Sequence, residues 1–137
     1  MNDQKITAGR AILAIGIVCG FISFWYTLAF TWDEDFRAVN LAVGPTHSNF
    51  HAFREAMLAL AVNLLLIFVL LRAATIKIEI WSIVLFMAVF YYAGWWVAWP
   101  IWGYHAPDIV AELNHVGGTI GGLLGLMMLR PSGTSQT

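Results

Sequence analysis

The hydrophobic positions of this sequence fall into four long runs that are separated by shorter polar stretches. The runs cover residues 11–32, 50–71, 78–102 and 107–129. Each run is close to the ~20 residues with which an α-helix crosses ~30 Å of hydrocarbon. The pattern therefore predicts an all-α integral membrane protein, a four-transmembrane-helix bundle that forms a single domain over residues 1–130. The polar residues 131–137 are predicted to be a disordered tail.

Basic residues lie mostly on one side of this predicted bundle. That side carries Lys5, Arg10, Arg72, Lys77 and Arg130, whereas Arg37 and Arg54 fall on the other side. Loops that are rich in lysine and arginine stay in the cytoplasm during membrane insertion. We therefore expect both termini to be cytoplasmic and the chain to reside in a bacterial inner membrane.

The composition agrees with a lipid environment and argues against other classes of protein. Of the 137 residues, 60% are hydrophobic and 11% are charged, and the mean hydropathy is +0.74. A soluble domain of this length could not bury so much apolar surface. A net charge of -1 provides no basic patch for phosphates, which argues against nucleic-acid binding. The single cysteine, Cys19, excludes an internal disulfide.

Glycines at helical spacing predict close helix packing. The fourth run carries Gly117, Gly121 and Gly125 at i, i+4 and i+8, and the first run carries Gly16 and Gly20. Small residues at this spacing let two helix backbones approach each other in a membrane. The favoured interpretation is packing within one bundle. The alternative is a homodimer or a larger membrane complex that assembles through the glycine faces.

Ionisable side chains gather at the outer end of the predicted bundle. At ~100° per residue, His47, His51 and Glu55 share one stripe of the second helix, and Glu112 and His115 share one stripe of the fourth. Glu55 and His115 lie one to two turns inside their helices. Ionisable groups at that depth are costly and usually have a partner or a task. We predict that His51, Glu55, His115 and Glu112 form a catalytic site.

Aromatic residues crowd the same end of the bundle. Trp95, Trp99 and Trp102 recur at i, i+4 and i+7 on the third helix, and Tyr91 and Tyr92 lie deeper. An interfacial belt explains many of these residues. A stripe that is turned inward would instead wall a pocket, which suits a flat lipophilic ligand or a positively charged centre. The predicted substrate-binding set is Tyr91, Tyr92, Trp95, Trp99, Trp102 and Arg54.

The segment His51-Ala52-Phe53-Arg54-Glu55 resembles, over these five residues, the His-x-x-x-Glu helix of the eukaryotic sterol isomerases. The resemblance implies an acid–base pair that faces a membrane cavity beside tryptophan and asparagine. Burial favours the neutral forms of a carboxylic acid and of an imidazole, which suits proton transfer. The leading hypothesis is a small, cofactor-free membrane enzyme whose acid–base site lies near the outer, periplasmic leaflet. Its substrate would be an isoprenoid, a steroid or a quinone-like molecule, in isomerase-type or hydrolase/lyase-type proton transfer.

Two other functions remain open at this point. The chain could be an accessory subunit of a larger membrane complex, since glycine seams and aromatic ends are typical of such subunits. It could also bind zinc, copper or iron through His47, His51, Glu55 and His115, or a b-type haem between His51 and His115. Proton-coupled transport is disfavoured because Glu55 lies near one membrane face only.

Overall fold

The chain folds into a bundle of α-helices in the order α1 (Asp3–Ala29), α2 (His47–Arg72), α3 (Ile78–Trp102) and α4 (Ile109–Met128). The computed structural model describes residues 3–33, 46–103, 106 and 108–131, and every regular element in these ranges is a helix. Helices α1, α2 and α3 are long and apolar enough to cross a membrane. The predicted all-helical architecture is thereby confirmed, with three helices that can span a bilayer.

The helix bounds follow the predicted runs closely, with one large difference at the N-terminus. Helix α1 begins at Asp3 instead of residue 11. Its first turns are held by packing, because Ile6 contacts the core and Gly9 lies against Leu129 at the end of α4. The predicted tail falls outside the described residues from 132 onward.

The closest contact between helices joins α1 to α4, which run antiparallel. The Cα of Gly16 lies 2.6 Å from the place that a Cβ on Gly121 would occupy. In the same way, the Cα of Leu13 lies 2.7 Å from a Cβ on Gly125. No side chain fits at these distances, so the two backbones touch directly. The predicted glycine spacing thus serves packing within the chain.

One end of the bundle carries the exposed basic residues Lys5, Arg10, Arg72, Lys77 and Arg130, and we refer to it as the basic end. Here α3 is fastened to α4, because the Trp81 indole Nε1 donates to the Leu126 carbonyl over 2.9 Å. The Arg130 guanidinium covers the Trp81 ring, with its Cζ 5.8 Å from the ring centroid. Elsewhere α3 contacts α2 and α4 only thinly, whereas α1 packs extensively on α2 and α4.

At the opposite end, one asparagine joins α1 to α2. The buried Asn49 donates from Nδ2 to the Phe30 carbonyl over 2.9 Å and to the Asp33 carbonyl over 3.2 Å. Its Oδ1 accepts from the Thr46 backbone N–H over 2.8 Å. The same side chain therefore stabilises the start of α2 and satisfies carbonyls at the end of α1. This joint sets the position of the first turns of α2.

Replacing Gly16 with alanine should separate α1 from α4. The new Cβ would collide with the backbone of Gly121 and Gly122, which cannot move without displacing α4. We expect Gly16→Ala to lower the free energy of unfolding by about 1–3 kcal/mol, as measured by denaturant titration of the circular dichroism in micelles. Gly94→Ala is the matched control, since a Cβ there meets nothing within 4 Å. Equal stability of the two variants would contradict the direct backbone contact.

Replacing Asn49 tests the joint between α1 and α2. Asn49→Leu removes both donated bonds and the two that Oδ1 accepts from Thr46, and should lower the free energy of unfolding by about 1–3 kcal/mol in the same titration. Asn49→Asp keeps an acceptor for Thr46 but cannot donate to Phe30 and Asp33. We expect it to be destabilised as well. A wild-type stability for Asn49→Asp would mean that the two donated bonds do not hold the helices together.

Candidate functional site

Two adjoining cavities, of about 210 and 260 Å³, lie between the helices toward the end opposite the basic end. Five residues line both of them, namely Ser23, Glu55, Trp95, Asn114 and His115. These five come from all four helices, so the two cavities form one space at the centre of the bundle. We call this space the polar cavity. It exists because α3 packs only thinly on α2 and α4.

Most of the predicted site residues line the polar cavity. The predicted set contributes His51, Glu55, Tyr91, Tyr92, Trp95 and His115. The stripes of α2 and α4 therefore face a common space, and the aromatic residues of α3 form its third wall. The roles assigned to these residues in catalysis or binding remain predictions.

His115 is held in one orientation by two contacts. Its Nδ1 lies 2.6 Å from the Ala111 carbonyl oxygen, and because a carbonyl only accepts, Nδ1 carries the hydrogen. The imidazole also stacks on the Trp95 indole, with centroids 3.5 Å apart and an angle of 18° between the rings. In the neutral ring Nε2 is therefore left as a bare acceptor. His115 can take a proton or a hydrogen bond at this nitrogen.

His51 differs from His115 because both of its nitrogens have neighbours on the same helix. Its Nδ1 lies 3.5 Å from Nη1 of Arg54, and its Nε2 lies 2.9 Å from Nε2 of His47. Arginine can only donate, so His51 accepts at Nδ1 and donates from Nε2 to His47. From the sequence, we predict that His51 and Glu55 act as an acid–base pair. The geometry favours His115 as the imidazole that is open to a ligand.

Glu55 lines both parts of the polar cavity and lies about 12 Å into α2 from His47, at ~1.5 Å per residue. Within the described part of the chain its carboxylate has no hydrogen bond or ion pair. The neighbouring Arg54 is directed elsewhere, toward His51 and over the Phe50 ring at 5.8 Å. The Glu55 residue is exposed in the isolated chain, so its carboxylate is open to a partner that enters the polar cavity.

Glu112 does not take the predicted position behind His115. Its Oε2 accepts from the Ala106 backbone N–H over 3.2 Å, and the residue does not line the polar cavity. The Ala111 carbonyl orients the His115 ring instead. Glu112 lies in the first turn of α4, within reach of the preceding loop. Its carboxylate therefore binds the loop before α4, and the catalytic role of Glu112 stays a prediction.

Two described members of the predicted substrate-binding set, Trp99 and Arg54, do not line the polar cavity. Trp99 is 55% exposed and lies one turn beyond Trp95, toward the end of the bundle, which is the position of an interfacial belt residue. The Arg54 side chain is exposed on the outside of α2. The side chain of Trp102 lies outside the described residues. Trp96, which follows Trp95, connects α3 to α4 beside the polar cavity, because its Nε1 donates to Thr119 Oγ1 over 2.9 Å.

Sequence reasoning missed the contribution of α1 and one residue of α4. Ser23 and Asn114 line both parts of the polar cavity, and Thr27 lines one of them. A signal was present, since Gly20, Ser23 and Thr27 are small or polar at i, i+3 and i+7 of an otherwise apolar helix. Asn114 directly precedes His115 in the sequence, but it does not share the helical stripe of Glu112 and His115.

The metal alternative gains no support from the geometry. In ranges 3–33, 46–103, 106 and 108–131, no three His, Cys, Asp or Glu side chains are placed to hold a metal ion. A haem between His51 and His115 would need a free nitrogen on each ring. Both nitrogens of His51 have neighbours. Metal or haem binding through His47, His51, Glu55 and His115 stays an untested prediction.

Comparison with known proteins does not assign the chain to a family. No protein-family model, no curated protein and no solved structure matches it. The function is therefore argued from the chemistry of the polar cavity.

The hydrogen bond to Ala111 predicts the tautomer of His115. In ¹⁵N-histidine NMR spectra of the protein in micelles, at a pH where the ring is neutral, His115 should carry its hydrogen on Nδ1. The His115→Gln variant assigns the signal by removing it. His51 serves as an internal contrast, because it should carry its hydrogen on Nε2. A hydrogen on Nε2 of His115 would contradict the bond to the Ala111 carbonyl.

Proposed function

We propose that this protein is a membrane enzyme that binds a lipophilic molecule in the polar cavity and moves a proton between Glu55, His115 and that molecule. One observation carries the proposal: an unpaired carboxylate and an imidazole with a bare Nε2 line the same cavity from different helices. Its aromatic wall, Tyr91, Tyr92 and Trp95, suits an apolar ligand.

The two groups have complementary roles in proton transfer. In one protonation state Glu55 accepts a proton from a substrate carbon, while protonated His115 donates one from Nε2 to another substrate atom. After this step Glu55 is a carboxylic acid and His115 is a neutral imidazole, and the substrate has lost one proton and gained one. A proton then returns from Glu55 to His115, directly or through water, before the next turnover. General acid–base catalysis of this kind contributes about 10²–10⁴-fold to a rate. The reaction is of the isomerase type, or a hydrolase/lyase-type proton transfer on an isoprenoid, steroid or quinone-like molecule.

The membrane placement forms part of the proposal. Helix α4 crosses the bilayer as a fourth span, since it packs along α1 from Gly9 to Cys19 and so shares its depth. Five exposed basic residues at one end support cytoplasmic termini. The polar cavity then opens toward the outer, periplasmic leaflet of a bacterial inner membrane. Substrate enters from lipid past the thinly packed α3.

Hydrogen–deuterium exchange into a substrate tests the proposed chemistry. The purified protein is incubated in D₂O with a steroid ketone, a short isoprenoid alcohol ester or a quinone, and deuterium in the recovered compound is measured by mass spectrometry. We expect protein-dependent deuteration of a carbon-bound position in one class. Glu55→Gln should reduce this rate about 10²–10⁴-fold, because the amide cannot take up the proton.

Gly94 provides a matched pair of control variants for the same assay. Its Cβ position is open, and the residue lines the polar cavity. Gly94→Phe should fill the cavity and abolish exchange, whereas Gly94→Ala should retain it. Absence of protein-dependent deuteration in all three classes would contradict the proposal and favour the accessory-subunit hypothesis. Exchange that survives Glu55→Gln unchanged would remove Glu55 from the mechanism.

A further inference from the structure

The described residues that line the polar cavity include one acidic side chain and no lysine or arginine. The acidic side chain is that of Glu55, which lines both parts of the cavity. The basic residues of the helices lie at the basic end, apart from Arg54 on the outer surface of α2. An ionised carboxylate attracts a positively charged partner, and more strongly in a membrane environment than in water. Within the described residues no side chain supplies one to Glu55.

The free ring nitrogen of His115, Nε2, also favours a ligand that donates a hydrogen bond. Nδ1 of His115 is held by the Ala111 carbonyl, so that Nε2 offers a lone pair and no hydrogen in the neutral ring. Asn114 donates one of its N–H groups to the Val110 carbonyl over 3.0 Å, which leaves its amide oxygen as an acceptor and its second N–H as a donor. A ligand therefore meets a carboxylate, an imidazole lone pair and an amide oxygen. All three accept hydrogen bonds.

The aromatic rings that line the polar cavity add a second attraction for a positively charged ligand. Tyr26 of α1 and Phe30, which directly follows α1, lie on one side of the polar cavity, and Tyr91 and Trp95 of α3 lie on another. The faces of such rings carry a negative electrostatic potential, which attracts organic cations within about 6 Å. At the membrane depth proposed for the polar cavity, this attraction and that of Glu55 are screened less than in water.

We propose that the polar cavity is selective for a lipophilic organic cation with N–H donors, such as a protonated amine attached to a flat apolar body. The carboxylate of Glu55 is the counter-ion, Nε2 of His115 accepts an N–H, and the aromatic walls enclose the apolar body. The inference rests on the proposed function, because it names the class of ligand for the same cavity. A neutral substrate that becomes positively charged in the reaction would be favoured by the same groups.

The experiment compares two probes that differ mainly in charge. Naphthylmethylammonium and naphthylmethanol have the same ring and nearly the same size, and their binding to the protein in micelles is measured by isothermal titration calorimetry. The Gly94→Phe variant, whose cavity is filled, measures how much of each probe partitions into the micelle. This background is subtracted from the binding to the wild-type protein. We expect the ammonium probe to bind at least ten-fold more tightly than the alcohol.

Charge variants identify the origin of this preference. Glu55→Gln should bring the ratio of the two dissociation constants close to one and leave alcohol binding nearly unchanged. Glu79→Gln removes one negative charge from the first turn of α3, at the basic end, and should leave the ratio unchanged. Circular dichroism and elution volume show whether each variant remains folded.

The possible outcomes separate the inference from the proposed function. Equal binding of both probes, lost in Gly94→Phe, overturns cation selectivity but leaves a lipophilic cavity in place. A preference that persists in Glu55→Gln also overturns the inference, since Glu55 would not be the counter-ion. Tighter binding of naphthoate, the anionic analogue, overturns it directly. Binding of neither probe overturns it as well, and would count against a ligand site at this position.

Discussion

The direct contact of α1 and α4 is the constraint on which the rest of the bundle depends. Glycines at the crossing bring the two backbones together, so these helices occupy less width than a pair separated by leucines. Helix α3 cannot approach in this way, because it presents Trp81, Tyr92 and Trp95 toward the interior. A bundle that is narrow on one side and wide on the other leaves space between α3 and its neighbours. The polar cavity occupies that space.

The lining of the cavity follows from the same geometry. Helix α3 makes few contacts there, and the contacts that it does make are directional. Trp95 stacks on His115, and Trp96 donates to Thr119 one turn further along α4. These two residues hold the face of α4 that carries the imidazole, and the Ala111 carbonyl sets its tautomer. Rigid placement of this kind keeps a catalytic or binding group oriented before a ligand arrives.

Much of the fold was predictable from the sequence, and only part of the site was. Hydrophobic runs gave the number and order of the helices because a membrane span needs a minimum apolar length. Glu55 and His115 stood out because charged groups inside such runs are rare. Periodicity could not reveal that Glu112 binds the loop at Ala106, since that depends on the path of the chain outside the helices. Nor could it identify Ser23 and Asn114, whose polarity is unremarkable until the helices are placed together.

Two buried polar groups beside the polar cavity lower the stability of the bundle. Asn63 donates to the Ala59 carbonyl of its own helix, while its Oδ1 and the hydroxyl of Tyr92 are buried without a hydrogen-bond partner among the described residues. Each such group costs about 1–3 kcal/mol. Gly20 lies against the Asn63 amide and also lines the polar cavity. A chain that needed only a stable bundle would fill this region with apolar side chains. Tyr92 lines the polar cavity and Asn63 lies behind Gly20, so both unsatisfied groups border the space that α3 leaves open.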